Sequence, residues 1–205
     1  MPWKEGINLF SFSELEGKRV RLVPLETEHI TPLFKCSRHP EIWAHYPIKI
    51  KTIEDMKSFV HKAIEGRERK EQFPFAVFDK ELNEYVGTTR FLRISEENNN
   101  LNIGSTWYCP KVWRTRVNTE CKYLMLKHAF ETLKAIRVEI VTSTDNIRSQ
   151  RAIERLGAVR EGILRKKYYN LDYVIYSFLD NEWSTVRSKL ESFLEDERLN
   201  PQNGA

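Results

Sequence analysis

The chain has 205 residues, 40% of them apolar and 12% aromatic, with a formal charge of +4. That is enough apolar material for one domain with a sizeable core, and too much for a disordered chain. Cations and anions are mixed along most of the sequence, so no basic arm points to nucleic acid, and no apolar run approaches the roughly 18 residues of a membrane span.

After an extension at 1–16, RVRLVPL (19–25) alternates with period two and reads as a strand, followed by a short helix over 28–38. Apolar residues spaced three and four apart from Ile53 to Ile64 predict a helix over 53–70. PFAVFD (74–79), EYVGTTRFLRI (84–94) and LNIGSTWY (101–108) read as three antiparallel strands joined by polar turns. A helix is expected over 119–134, a strand over 136–143, and a helix over 147–156 closed by Gly157. The last strand is VIYSFL (174–179), and 186–205 reads as a helix fading into a loose tail. The fold class is therefore mixed α/β, one domain spanning 17–185. Cys36, Cys109 and Cys121 are too scattered for a metal motif. Their odd number, with no signal-peptide pattern in MPWKEG, suggests reduced thiols in a cytoplasmic protein without a metal.

Two junctions carry chemistry. In YCPKVWRTRVNTECKYL (108–124) a strand passes through a proline turn into a helix whose first N–H groups are unpaired. Partial positive charge there favours an anion, and Lys111, Arg114 and Arg116 add full charges that suit a diphosphate. The plainer alternative leaves those cations in water. In TSTDNIRSQRAIERLGA (142–158) Asp145 and Asn146 are good N-caps, and Ser149 lies one turn on, near the same opening. Capping alone would also explain them.

The order and spacing of these pieces resemble the GNAT acetyltransferase superfamily, in particular its RimJ/RimL-type branch. The pieces run from GKRVRLVPL through PFAVFD, EYVGTTRF, IGSTWYCP, WRTRVNTECK and DNIRSQRAIERLGA to REGILR and DYVIYSFLDNEW. The resemblance implies a mostly antiparallel sheet whose central strands splay apart around acetyl-CoA, flanked by helices. It also implies acetyl transfer to a primary amine, of a protein N-terminus or a small molecule, by direct attack without a metal; relatives often form dimers. Cofactor contacts carried over are Trp107, Tyr108, Trp113, Arg114, Thr115, Arg116, Val117, Asn118, Thr119, Asn146 and Ser149. Within that set an amide near Trp107 or Tyr108 faces the acetyl oxygen, Asn146 bonds the pantetheine, and Ser149 protonates the leaving thiolate.

The chain departs from the family pattern in two places. Arg116 stands where relatives have glycine, and the expectation is that it strains the cradle, turns outward, or reaches over the diphosphate. Asn102 stands where relatives often have a glutamate base, leaving either a water-mediated route to Glu41, His45 or Glu139, or an amine of depressed pKa that needs little help. An amine pocket walled by Trp43, His45, Tyr46 and Tyr168, with Tyr169 beside it, is expected between the 36–52 segment and the last strands. The competing class is a non-catalytic binding or assembly module. An RNA-binding sheet face built on Arg90, Arg93 and Trp107 has too thin a pattern.

Overall fold

The computed structural model describes residues 14–195. The strands are β1 (Leu15–Glu16), β2 (Val20–Pro24), β3 (Gln72–Asp79), β4 (Glu84–Ser95), β5 (Asn100–Tyr108), β6 (Arg137–Ser143), β7 (Val159–Tyr168) and β8 (Leu171–Leu179). They form one sheet in the order β1-β2-β3-β4-β5-β6-β8-β7, antiparallel throughout except for the β5–β6 pair. The helices are α1 (Ile30–Ser37), α2 (Ile53–Glu68), α3 (Val117–Lys127), α4 (Ile147–Leu156) and α5 (Trp183–Glu195). The expected mixed α/β sheet flanked by helices is what forms. Residues 1–13 and 196–205, the bulk of the expected extension and tail, lie outside the described residues.

Strand alternation decides which helix covers which face. Thr89 on β4 points toward α3, where Met125 Sδ is 3.5 Å from its hydroxyl. The next residue, Arg90, points the other way and lies 5.0 Å from the Phe59 ring of α2. The connection between α1 and α2 therefore covers the face opposite to α3. It ends in a reciprocal cap, with Asp55 N donating to Thr52 Oγ1 (3.1 Å) and Thr52 N to the Asp55 carboxylate (2.8 Å). On the other face, buried Glu120 in the first turn of α3 accepts from Arg19 N (3.1 Å) and Val20 N (3.0 Å), holding the helix start against β2.

The alternation reading misses β7. This strand lies at the sheet edge, most of its residues are exposed, and VREGILRKKY carries five charges and a glycine, so no buried face imposes a period of two. The helix expected over 119–134 starts two residues earlier and ends in a π turn over His128–Thr132, where Leu133 N donates to His128 O. The final helix begins at Trp183, whose ring packs 5.4 Å from Phe130 and 6.4 Å from Tyr123.

Candidate active site

β5 and β6 run parallel for only three pairs, Asn100↔Arg137, Leu101↔Val138 and Asn102↔Glu139. Beyond that they part, β5 running on to Tyr108 beside β4 and β6 to Ser143 beside β8. A bulge drives the separation. Ser105 sits at φ 46°, and the register with β4 slips between Thr88↔Trp107 and Arg90↔Gly104. Cys109 N donates to Val86 O on β4 (2.7 Å), so alternation turns the Tyr108 amide away from β4 into the gap. The Tyr108 carbonyl accepts from Trp113 Nε1 at 2.8 Å. The phenol is buried toward Cys121 of α3, and burial pushes its pKa well up. Tyr108 thus offers the gap its backbone and not its ring, while Trp107 turns to the opposite face and packs 5.3 Å from Trp43.

The start of α3 closes one end of the gap. Trp113 is extended, Arg114 is left-handed at φ 63°, and Thr115 Oγ1 donates to Val112 O (2.7 Å) while receiving Val117 N (3.3 Å). Arg116 has φ −70°, an ordinary helical value, so the expected strain at that missing glycine does not arise; the left-handed residue is Arg114. Arg116 also does not reach over the helix tip, because its Nη1 donates to Leu194 O of α5 (2.8 Å). Lys111 pairs with Glu84. Of the three cations expected to converge, Arg114 alone stays exposed and unengaged among the described residues. A cation absent from that expectation joins it: Arg148, in the first turn of α4, stacks 3.9 Å over Trp113. Its place within the second junction, two residues after Asn146, was the available signal. Val117 and Asn118 lie in the first helical turn, and Thr119 accepts from Arg155 Nη2 of α4 (2.9 Å).

Across the gap, Asn146 caps α4 by accepting Ser149 N (3.1 Å), which occupies the amide oxygen and leaves its NH2 group for other work. The Ser149 hydroxyl makes no hydrogen bond among the described residues. Asp145 Oδ2 lies 3.3 Å from His45 Nδ1, bringing the α1–α2 connection to the mouth of the gap.

The residues expected to wall an amine pocket divide. Trp43 is core, with its Nε1 bonded to Ser37 O (2.8 Å) and its ring 5.4 Å from Tyr46. Tyr46 turns inward, burial raising its pKa, with Arg90 and Ser105 close by. Tyr168 stacks edge-on against Tyr173 (5.0 Å) with the Arg93 guanidinium 4.9 Å from its ring, while Tyr169, near Tyr46, is 68% exposed. Of the proton acceptors considered, Glu41 is exposed and faces His39 (3.6 Å). Glu139 stands beside Asn102 at the fork, bonded to Arg137 Nε (2.8 Å). His45 stands at the mouth.

Comparison with known proteins agrees with this geometry. The profile of the acetyltransferase (GNAT) domain matches residues 19–159. The Bacillus subtilis protein "Uncharacterized N-acetyltransferase YoaA" is 24% identical over 77% of this chain and 89% of its own length. A GCN5-related N-acetyltransferase from Brucella melitensis superimposes with TM-score 0.83 at 28% identity, covering 93% of this chain and 87% of that one. Mycobacterium smegmatis RimJ, solved with CoA-disulfide, shares the fold (TM-score 0.73, 16% identity, 85% and 88% covered). Parted parallel strands, a helix start at their end and a domain match over most of the chain have one common meaning: this protein belongs to the GNAT acetyltransferase family and is an acyltransferase enzyme.

Proposed function

We propose that the protein moves an acetyl group from acetyl-CoA to a primary amine by direct transfer, as a RimJ/RimL-type enzyme. The observation that carries this reading is the gap between β5 and β6, which has the Tyr108 amide on its wall and the α3 tip at its end. The residues suit the nucleotide. Amides of Asn118 and Thr119 at the positive helix end would hold the diphosphate, with Arg114 and Arg148 supplying charge at its rim. The Tyr108 amide would bond the chain running to the thioester, and the Asn146 NH2 group would hold it from the β6 side.

Acetyl-CoA supplies an activated thioester; the protein's own residues do the rest. A backbone donor aimed at the carbonyl oxygen stabilises the negative charge that develops as the amine attacks. Ser149, its hydroxyl uncommitted, would protonate the departing sulfur. His45, with Asp145 on Nδ1, presents Nε2 as the proton acceptor for the amine, a role that geometry gives more readily to it than to the Arg137-bound Glu139. The test is release of free thiol from acetyl-CoA on addition of a panel of amines, alongside a CoA titration. Absence of both CoA binding and thiol release refutes the reading, and binding without release would favour the non-catalytic module.

A further inference from the structure

The face of the sheet opposite α3 holds a set of buried polar atoms with no hydrogen-bond partner: Arg90 Nε and Nη2, Trp107 Nε1, Thr88 Oγ1 and Tyr46 Oη. They belong together. Thr88 and Arg90 are two apart on β4, Trp107 is the cross-strand partner of Thr88, and Tyr46 reaches them through Trp43, which touches both aromatic rings. Arg90 is 7% exposed. Its Nη1 donates to Gln72 Oε1 (2.8 Å), and no carboxylate pairs with it among the described residues.

A guanidinium without a counter-charge is among the costliest groups to bury, and buried donors are nearly always satisfied. The edge left open is informative. Nε and Nη2 present two parallel N–H groups that match the two oxygens of a carboxylate. The same edge of Arg19 is filled in this way by Asp79, with Nε donating to Oδ1 at 3.2 Å and Nη2 to Oδ2 at 2.8 Å. Trp107 Nε1 can only donate, so three of the five atoms demand acceptors.

The place is as telling as the chemistry. Arg90 pairs with Gly104, immediately before the Ser105 bulge where β5 leaves β6, on the side covered by the α1–α2 connection. In that connection Ala44, His45, Pro47, Ile48 and Lys49 are exposed, while Trp43 and Tyr46 turn in over the cluster. Resting on the acetyl-transfer reading above, we infer that the acceptor is an amine that also carries a carboxylate, which displaces Tyr46's cover and docks on the Nε–Nη2 edge of Arg90 with Trp107 Nε1. Polyamines and aminoglycosides, as polycations, are disfavoured at such a site.

Two arms test this on the full chain. Acetyl-CoA-dependent thiol release is measured with the twenty amino acids and with their carboxamides, for the native protein, Arg90→Gln and Tyr46→Phe. Some acid is preferred over its amide by about 10- to 100-fold in kcat/KM, the worth of a charged hydrogen-bonded contact, and Arg90→Gln removes the preference while CoA affinity stays within about twofold. Equal use of acid and amide, survival of the preference in Arg90→Gln, or a polyamine as best acceptor overturns the inference. The second arm needs no turnover: at constant ionic strength, acetate raises the melting temperature of the native protein more than of Arg90→Gln, and more than chloride or acetamide does. Equal shifts in the native protein and Arg90→Gln, or equal protection by chloride, overturn the carboxylate site. Loss of CoA binding with acetate protection intact would refute acetyl transfer and leave the carboxylate site standing.

Discussion

Ser149 and Asn146 share one helix start but not one task. Asn146 spends its oxygen on the cap, so its replacement by alanine should lower stability by about 1 kcal/mol as well as weaken CoA binding. Ser149 contributes only its backbone N–H to that cap, so Ser149→Ala should leave stability and CoA affinity nearly unchanged. It should lower kcat by ~10²-fold if its hydroxyl meets the leaving sulfur, and stopped-flow thiol release with a parallel CoA titration checks the split. Arg114 and Arg116 make a second contrast. Glycine at 114 relieves a left-handed arginine, whereas glycine at 116 loosens a helical residue and loses the bond to Leu194. Arg114→Gly should therefore be the more stable variant by about 1–2 kcal/mol in urea unfolding, and Arg116→Gly should bind CoA with nearly native affinity. The sequence displayed the departure from the family glycine but not which residue adopts the unusual φ, because that depends on how Thr115 ties its hydroxyl to Val112.

At the scale of elements, α3 both aims its N-terminus at the gap and seals the sheet face behind it. Lys122, in its second turn, is buried with Nζ 3.0 Å from Thr106 Oγ1 and 3.5 Å from Thr89 Oγ1, and burial pulls its pKa down to about 8. The unfolded chain holds that proton up to the ordinary lysine value, while the folded chain releases it near pH 8. Between those limits the unfolded state binds more protons, so this group makes stability rise with pH from about 8 upward and adds no slope below. Lys122→Met should remove that rise. Urea unfolding of both proteins between pH 7.5 and 10 checks it, and a difference independent of pH would contradict it. The helix was legible from the spacing of its apolar residues, but the burial of Lys122 on the same helix was not, since a lysine in a periodic pattern reads as solvent-facing until its strand partners are known. The edge strand β7 escaped for the opposite reason, having too little buried surface to leave a pattern.

For the whole molecule, the gap exists because two strands start in register and diverge, and ligand that fills it should hold the two halves of the sheet together. CoA at about 100 times its Kd should stabilise the fold by about 2.7 kcal/mol, a melting shift of roughly 5–10 °C for a chain of this size, readable by scanning calorimetry. No shift at saturating CoA would contradict the proposed site. His45 meets Asp145 from a hundred residues away, and Arg90, Trp107 and Tyr46 come to one face of the sheet from three separate segments. By itself the amino-acid sequence determined the alternation of strands and helices, the two strand-to-helix junctions and the cap residues, because these depend on local periodicity and on neighbours within one helical turn. Tertiary structure alone decided which cations gather at the helix tip, which tyrosines are buried, and that a guanidinium lies uncompensated beside the fork. Those outcomes depend on which distant segments share a face, and on desolvation that no local pattern records.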